Sequence, residues 1–169
     1  MMDGLFYLIY LRMDLDLFRE EAARSLENHK MVIKKLRKSK NVDDQFHSLH
    51  DEVFQEIDCL ECANCCKTTS PIFQETDIQR LSKSLKMKVS EFIDSYLQLD
   101  EENDYVLTQA PCPFLGLDNK CIVYDSRPKA CREYPHTNRK RMRQILNLTL
   151  KNTQVCPAVH QIMKRIDLD

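Results

Sequence analysis

Residues 59–66 read Cys59-Leu-Glu-Cys62-Ala-Asn-Cys65-Cys66, which places four of the chain's eight cysteines in eight positions. An ordinary core has no use for such a density. Spacing two cysteines by two residues lets one tight turn aim both thiolates at a single metal ion, while the intervening N–H groups point at the sulfurs. Adjacent Cys65 and Cys66 leave the backbone in different directions, so one can face a metal while the other faces a second metal, a substrate or a distant thiol.

The remaining cysteines, Cys112, Cys121, Cys131 and Cys156, are spread along the C-terminal half, and Cys112 and Cys156 are each followed by proline. Zinc ribbons generally bring two separate C-x-x-C pairs. Three cysteines in successive two-residue steps are instead similar to the ferredoxin run, whose last cysteine also precedes proline, and this tilts the reading toward iron. All eight cysteines, Cys59, Cys62, Cys65, Cys66, Cys112, Cys121, Cys131 and Cys156, are candidate metal ligands, and spacing alone does not divide them among sites. Disulfides and a set of merely buried thiols are the alternatives.

Working outward, the 169 residues and 43% hydrophobic content suffice for the core of one domain. A net charge of −1 gives no global field to attract a polyanion or an anionic membrane. Only Gly4 and Gly116 are present. The glycine-dependent dinucleotide fingerprint, the Walker loop and the G-x-S-x-G elbow therefore cannot be written here, which excludes those routes to NAD, ATP and lipase chemistry. The apolar run Leu5 to Leu11 is too short to span a bilayer and lacks the flanks of an export signal, so the chain is expected to be cytoplasmic, without a membrane. Residues 1–12 read as an over-extended start or a tail.

Leu15, Phe18, Ala22, Leu26, Ile33 and Leu36 recur at helical spacing between Asp14 and Lys40, and Val42, Phe46, Leu49, Val53 and Ile57 mark a second helix capped by Asn41. Residues 13–58 thus read as a helical hairpin leading into a cysteine-cluster region over 59–157, with 158–169 as a C-terminal helix of the same domain. Thr76 to Gln79 has the form of a capping box for a helix to about Leu85, and Ser90 of a cap for another to about Leu97. Tyr105–Thr108 and Cys121–Tyr124 read as a β-hairpin turned at Gly116 and Asp118-Asn119, and Leu146 to Leu150 as a third strand. Pro157 opens a helix bearing Val159, Ile162, Met163 and Ile166. The expected class is mainly α with a small β element, an α+β single domain.

The run CLECANCC, the later PCPFLGLDNKCIVYDSRPKACREYP and the closing Cys156-Pro157 together resemble the bacterial CxxCxxCC cysteine-cluster family of zinc- or iron-chelating proteins. The resemblance covers about residues 59–157 and departs at Ala63, where the family usually has glycine. A positive φ at that position would strain alanine. The resemblance implies metal chelation, in oxidoreductase or protein-methylating settings, and no particular reaction.

Arg127-Pro128 reads as the start of a short helix containing Lys129, Cys131 and Arg132, ended by Tyr134-Pro135. Arg127 and Arg132, with Tyr134 beside them, are candidates to contact the cofactor, by hydrogen-bonding its sulfurs, neutralising thiolate charge or holding an anionic substrate. His136 is the nearest non-cysteine donor in sequence. Seven acidic residues and no basic one lie between Asp43 and Glu61, against seven basic and one acidic between Arg127 and Arg143. The two stretches are expected to lie near each other, bringing both cysteine sets to one site. Arg139-Lys-Arg-Met-Arg143 is basic enough to touch phosphates but has no interleaved aromatics, so nucleic acid is a minor expectation. The leading reading is a chelator of iron, as an iron–sulfur cluster, or of zinc, with a redox or protein-modifying role. The alternatives are a structural zinc module that binds a protein or nucleic-acid partner, and a metal-free thiol redox protein.

Overall fold

The computed structural model describes residues 14–168. The reading of residues 1–12 lies outside them. In chain order the elements are α1 (Leu15–Leu36), α2 (Val42–Glu56), α3 (Cys59–Cys62), α4 (Asn64–Thr68), α5 (Glu75–Ser84), α6 (Val89–Tyr96), β1 (Leu97–Leu99) and β2 (Tyr105–Leu107). They continue with a 3-10 turn at Tyr124–Ser126, α7 (Lys129–Glu133), a 3-10 turn at Met142–Ile145, α8 (Leu146–Asn152) and α9 (Pro157–Arg165). The protein is mainly helical with one small antiparallel sheet, the expected α+β class. No helix among the described residues is long and apolar enough to cross a membrane.

The chain forms two compact units, one from residues up to Cys62 and from Thr137 onward, the other from Ala63 to His136. In the first unit Asp14 caps α1, its Oδ1 accepting the N–H groups of Asp16 and Leu17 at 3.0 Å each. The predicted stripe is buried at Phe18, Ala22, Ile33 and Leu36. On α2 the stripe is fully buried at Val42, Phe46 and Val53. C-terminal helix α9 packs against both α1 and α2. It carries Pro157 in its first turn and buries Val159, Ile162 and Met163. Arg165 at its end forks onto Glu52 and Glu56 of α2, with N–O distances of 2.6–2.9 Å.

One predicted strand of this unit is a helix. Residues 146–150 alternate apolar and polar side chains, yet α8 buries Leu146, Thr149 and Asn152, three apart, while Leu148 stays exposed. Thr149 Oγ1 donates back to Ile145 O at 3.1 Å, as helical hydroxyls do. A period read over five residues does not separate the two states.

The second unit packs Phe73, Ile78, Leu81, Phe92, Leu97, Leu107, Phe114 and Val123 into one core, with Cys112 and Cys121 against it. Phe92 and Phe114 stack at 6.1 Å between centroids. Its helices begin two residues away from their predicted caps. In α5 the Gln74 N–H donates to Asp77 Oδ2 at 3.1 Å, which makes Gln74 the cap in place of Thr76. In α6 Lys88 is the cap in place of Ser90, its N–H donating to Glu91 Oε2 at 3.4 Å.

The predicted hairpin also has a different partner strand. Tyr105–Leu107 pairs with Leu97–Leu99, in the register Leu97↔Leu107, Gln98↔Val106 and Leu99↔Tyr105. The turn between them is built by Asp100, whose Oδ1 accepts the N–H groups of Glu102 and Asp104, and by Asn103 at φ 63°. Cys121 makes only an isolated bridge to Leu115, and the chain then enters the 3-10 turn.

Candidate metal centre

The cysteine run is broken in the middle. Ala63 has φ 46° and ψ 18°, the left-handed conformation that strains alanine where the family usually has glycine, and it ends α3 before α4 begins. Cys59 and Cys62 occupy α3, three residues apart on one helical turn, and Cys65 and Cys66 occupy α4. The Cys65 and Cys66 sulfurs are 4.0 Å apart. The hydrogen bond between them, followed by the charge of Lys67, brings the Cys66 thiol down to about 7 against the opposing effect of burial.

In the second unit Cys66, Cys112, Cys121 and Cys131 form a group in which each thiolate would feel the charge of the other three. The Cys112 N–H donates to Cys66 O at 2.8 Å, tying the run to a segment distant in sequence. Cys112 and Cys121 flank a tight loop closed by Gly116 N–H to Lys120 O at 2.8 Å and Ile122 N–H to Phe114 O at 2.9 Å. Glycine suits this loop, since a Cβ at 116 would stand 3.2 Å from Lys120 O and 2.8 Å from Asp118 Oδ1, so that the exposed Asp118 side chain would have to move. Burial, then the neighbouring thiolates, pushes Cys112 up to about 11 and Cys131 up to about 12. Cys121 moves in the same direction for the same reasons.

The sulfurs are furnished as metal thiolates are. Phe114 and Leu115 N–H groups point at Cys112, and the Val123 N–H at Cys121. Proline at position 113 has no N–H, so the donors to Cys112 come from the next two residues. Backbone donors of this kind are the outer shell that orients thiolate ligands and tunes their metal. The four thiols are half-buried and repel one another when ionised, a repulsion that a soft cation offsets, and among the described residues no three cysteine sulfurs lie within 4.8 Å of one another.

In the first unit Cys59, Cys62 and Cys156 make a second group. Cys156 precedes Pro157 at the start of α9, so its sulfur receives the Ala158 and Val159 N–H groups. Burial, and then the charges of Cys59 and Cys62, pushes it up to about 12. Each group thus draws on both the early run and the later cysteines.

A match to the CxxCxxCC family model, described as a "putative zinc- or iron-chelating domain", spans residues 58–157. The chain belongs to the CxxCxxCC family. No solved structure matches it. The matched span holds all eight cysteines of this CxxCxxCC protein, together with the backbone donors to Cys112 and Cys121.

Arg127 lies close to this centre: its positive charge favours the thiolates of Cys121 and Cys131. Its guanidinium stacks 3.7 Å over the Tyr124 ring and donates to Tyr124 O at 2.7 Å. Arg132 is exposed and donates to Arg127 O at 2.7 Å, while Tyr134 ends α7 with its ring 6.2 Å from that of His136. A buried carboxylate that the spacing did not mark also acts here. Asp77 Oδ1 accepts the Lys129 N–H at 3.1 Å and an Arg80 N–H at 2.5 Å, thereby holding the first turn of the Cys131 helix α7. Arg80 in turn donates to Ser126 O and Arg127 O at 3.2 and 2.9 Å. An Asp-x-x-Arg step in a helix, the second residue basic, was the sequence signal for this clamp.

The acidic stretch meets only the end of the basic one within the first unit, through backbone groups, while residues 127–136 belong to the second unit, so the expected single site for both cysteine sets does not follow. Asp43 accepts the N–H groups of Arg141 and Met142 at 2.6 and 2.8 Å, and His47 Nε2 lies 2.9 Å from Arg139 O. Asp100, Glu102 and Asp104 also bring three carboxylates within 4.8 Å, but Asp100 is already engaged in its turn.

Proposed function

We propose that the protein is a thiolate metal chelator with two separate centres. Cys66, Cys112, Cys121 and Cys131 supply four thiolates to one ion, and Cys59, Cys62 and Cys156 supply three to another. The observation that supports this reading is the grouping itself, in which each set lies within one unit and backbone N–H groups point at the sulfurs of Cys112, Cys121 and Cys156. Four thiolates around one ion suit tetrahedral zinc or iron.

The reading departs from the ferredoxin likeness in one respect. There, three cysteines of one run hold a single cluster, whereas here Ala63 parts the run and Cys66 keeps company with three remote cysteines. Four thiolates hold either a single zinc or iron ion or an iron–sulfur cluster, and the metal analysis below separates the two. A three-thiolate centre leaves a coordination position open, the arrangement that catalytic or redox chemistry uses.

Anaerobic purification followed by metal analysis and an ultraviolet–visible spectrum tests the proposal. Zinc thiolate is colourless, a single iron with four thiolates absorbs in the visible without acid-labile sulfide, and a cluster releases sulfide. Cys131→Ser is expected to remove the metal of the second unit and leave that of the first, and Cys156→Ser the reverse. Loss of all metal from either variant would refute the two-centre reading, and full retention in both would refute chelation by these thiols.

A further inference from the structure

Arg139-Lys-Arg-Met-Arg143 is a modest basic run when taken alone, but the fold of the first unit sets it beside another. Lys34 and Lys35 lie in the last turn of α1, and Arg37, Lys38 and Lys40 follow directly. The Arg143 guanidinium donates to Ser39 O in that same segment, and Arg37 donates to Asn147 Oδ1 at 2.7 Å. Asp43, just beyond, holds the backbone N–H groups of Arg141 and Met142. Two stretches about a hundred residues apart are thereby joined.

All nine cations are exposed, and none forms an ion pair with a carboxylate among the described residues. Elsewhere in this unit Arg19, Arg24, Lys30, Lys164 and Arg165 are paired. The helix dipole accounts for Lys34 and Lys35, which sit at a C-terminus. It does not account for the arginines and lysine of the 139–143 turn. More than a third of the chain's 25 Lys and Arg are concentrated on one face of a molecule whose net charge is −1.

We propose that this face binds the phosphate backbone of duplex nucleic acid. A lipid surface fits less well, because the apolar side of α1, at Phe18, Val32, Ile33 and Leu36, is buried in the core and leaves nothing to enter the acyl layer. Single strands fit less well too, since no aromatic residue is interleaved with the cations to stack on bases. What remains is fixed phosphate in a regular array, met by Arg and Lys without reading of sequence.

The test uses the full-length, metal-loaded protein and a short fluorescent DNA duplex of random sequence, titrated between about 50 and about 200 mM salt. Binding is expected to weaken as salt rises, with a log–log slope of roughly −0.9 for each phosphate neutralised. The double variants Lys35→Gln/Lys38→Gln and Arg139→Gln/Lys140→Gln should each lower affinity about tenfold and flatten the slope by about 2, with metal content and melting temperature unchanged. Lys83→Gln/Lys86→Gln, in the second unit, should bind as the parent does. Absence of binding at the lowest salt, or equal binding by all variants, overturns the proposal. So does tighter binding to phosphatidylserine vesicles than to the duplex.

Discussion

Lowering the pH from about 7.5 to about 4 should destabilise the first unit through one side chain in particular, His29. It lies on α1, fully buried, its ring edge-on to that of His160 at 5.0 Å, and neither ring nitrogen of either histidine has a hydrogen-bond partner. Around the pair stand Phe18, Glu21, whose Oε1 is 3.7 Å from His160 Nε2, and Lys164 on α9. Burial first, then the positive charges of His160 and Lys164, lowers His29 from 6.5 to about 4. The unfolded imidazole takes its proton near 6.5, so below that pH the unfolded state binds more protons than the folded one. Stability is therefore complete above pH 6.5 and falls as the pH drops toward 4. A difference of about 2.5 units corresponds to roughly 3 kcal/mol. His29→Leu removes the titrating ring and its two unmet nitrogens at similar volume, so it should stay within about 1 kcal/mol of the parent at neutral pH. Urea unfolding of both proteins across this range reads the effect. Acid release of metal lowers the stability of both, and the difference between them isolates His29. Parallel pH profiles for the two would refute the reasoning.

Asp77→Asn should lower the stability of residues 63–136 by about 3 kcal/mol, because it leaves the Arg80 cation without its buried partner, and hydrogen exchange should quicken at the Lys129 amide that Asp77 now holds. Gly116→Ala should cost about 1 kcal/mol, as its Cβ meets Lys120 O at 3.2 Å, and should speed exchange at the Gly116 and Ile122 amides of the cysteine loop. Ala63→Gly should change the melting free energy by less than about 1 kcal/mol, since relief of left-handed strain is offset by a lost buried methyl and a freer unfolded chain. Ala63→Val should lower it by at least about 2 kcal/mol, because a β-branched side chain fits that conformation worse than alanine.

The long helices were legible in the sequence because each runs for several turns with an apolar stripe, and α9 because proline stands in its first turn. The short elements were not. Five residues at 146–150 fit both periods, and only the burial of Leu146, Thr149 and Asn152 against the core selects the helix. Leu97 read as the end of a helix and became the first residue of β1, since the Asp100–Asn103 turn folds the chain back on itself at once. Caps at Gln74 and Lys88 escaped because in both helices the third helical residue, Asp77 or Glu91, accepts a backbone N–H, a role that the residue at the cap position does not announce.

The cysteines show why spacing identifies a metal-binding chain more readily than it sorts its ligands. Reading Cys59 to Cys66 as one run treats the backbone as continuous, and a single left-handed residue, Ala63, ends that continuity. What joins Cys66 to its group is a hydrogen bond from the Cys112 amide to its carbonyl, a contact with no trace in local sequence. The signal that was available lies in the prolines. A proline after a cysteine removes the first N–H and leaves the next two to reach the sulfur, as happens at both Cys112 and Cys156. Those two cysteines sit in different units, so under the two-centre proposal each cysteine–proline step belongs to a separate centre. On this argument, replacing Pro113 with alanine should disturb only the metal held with Cys112, and replacing Pro157 only the metal held with Cys156. Metal content measured for each protein decides it, and a loss shared by both centres in either variant would show that the prolines do not mark separate sites.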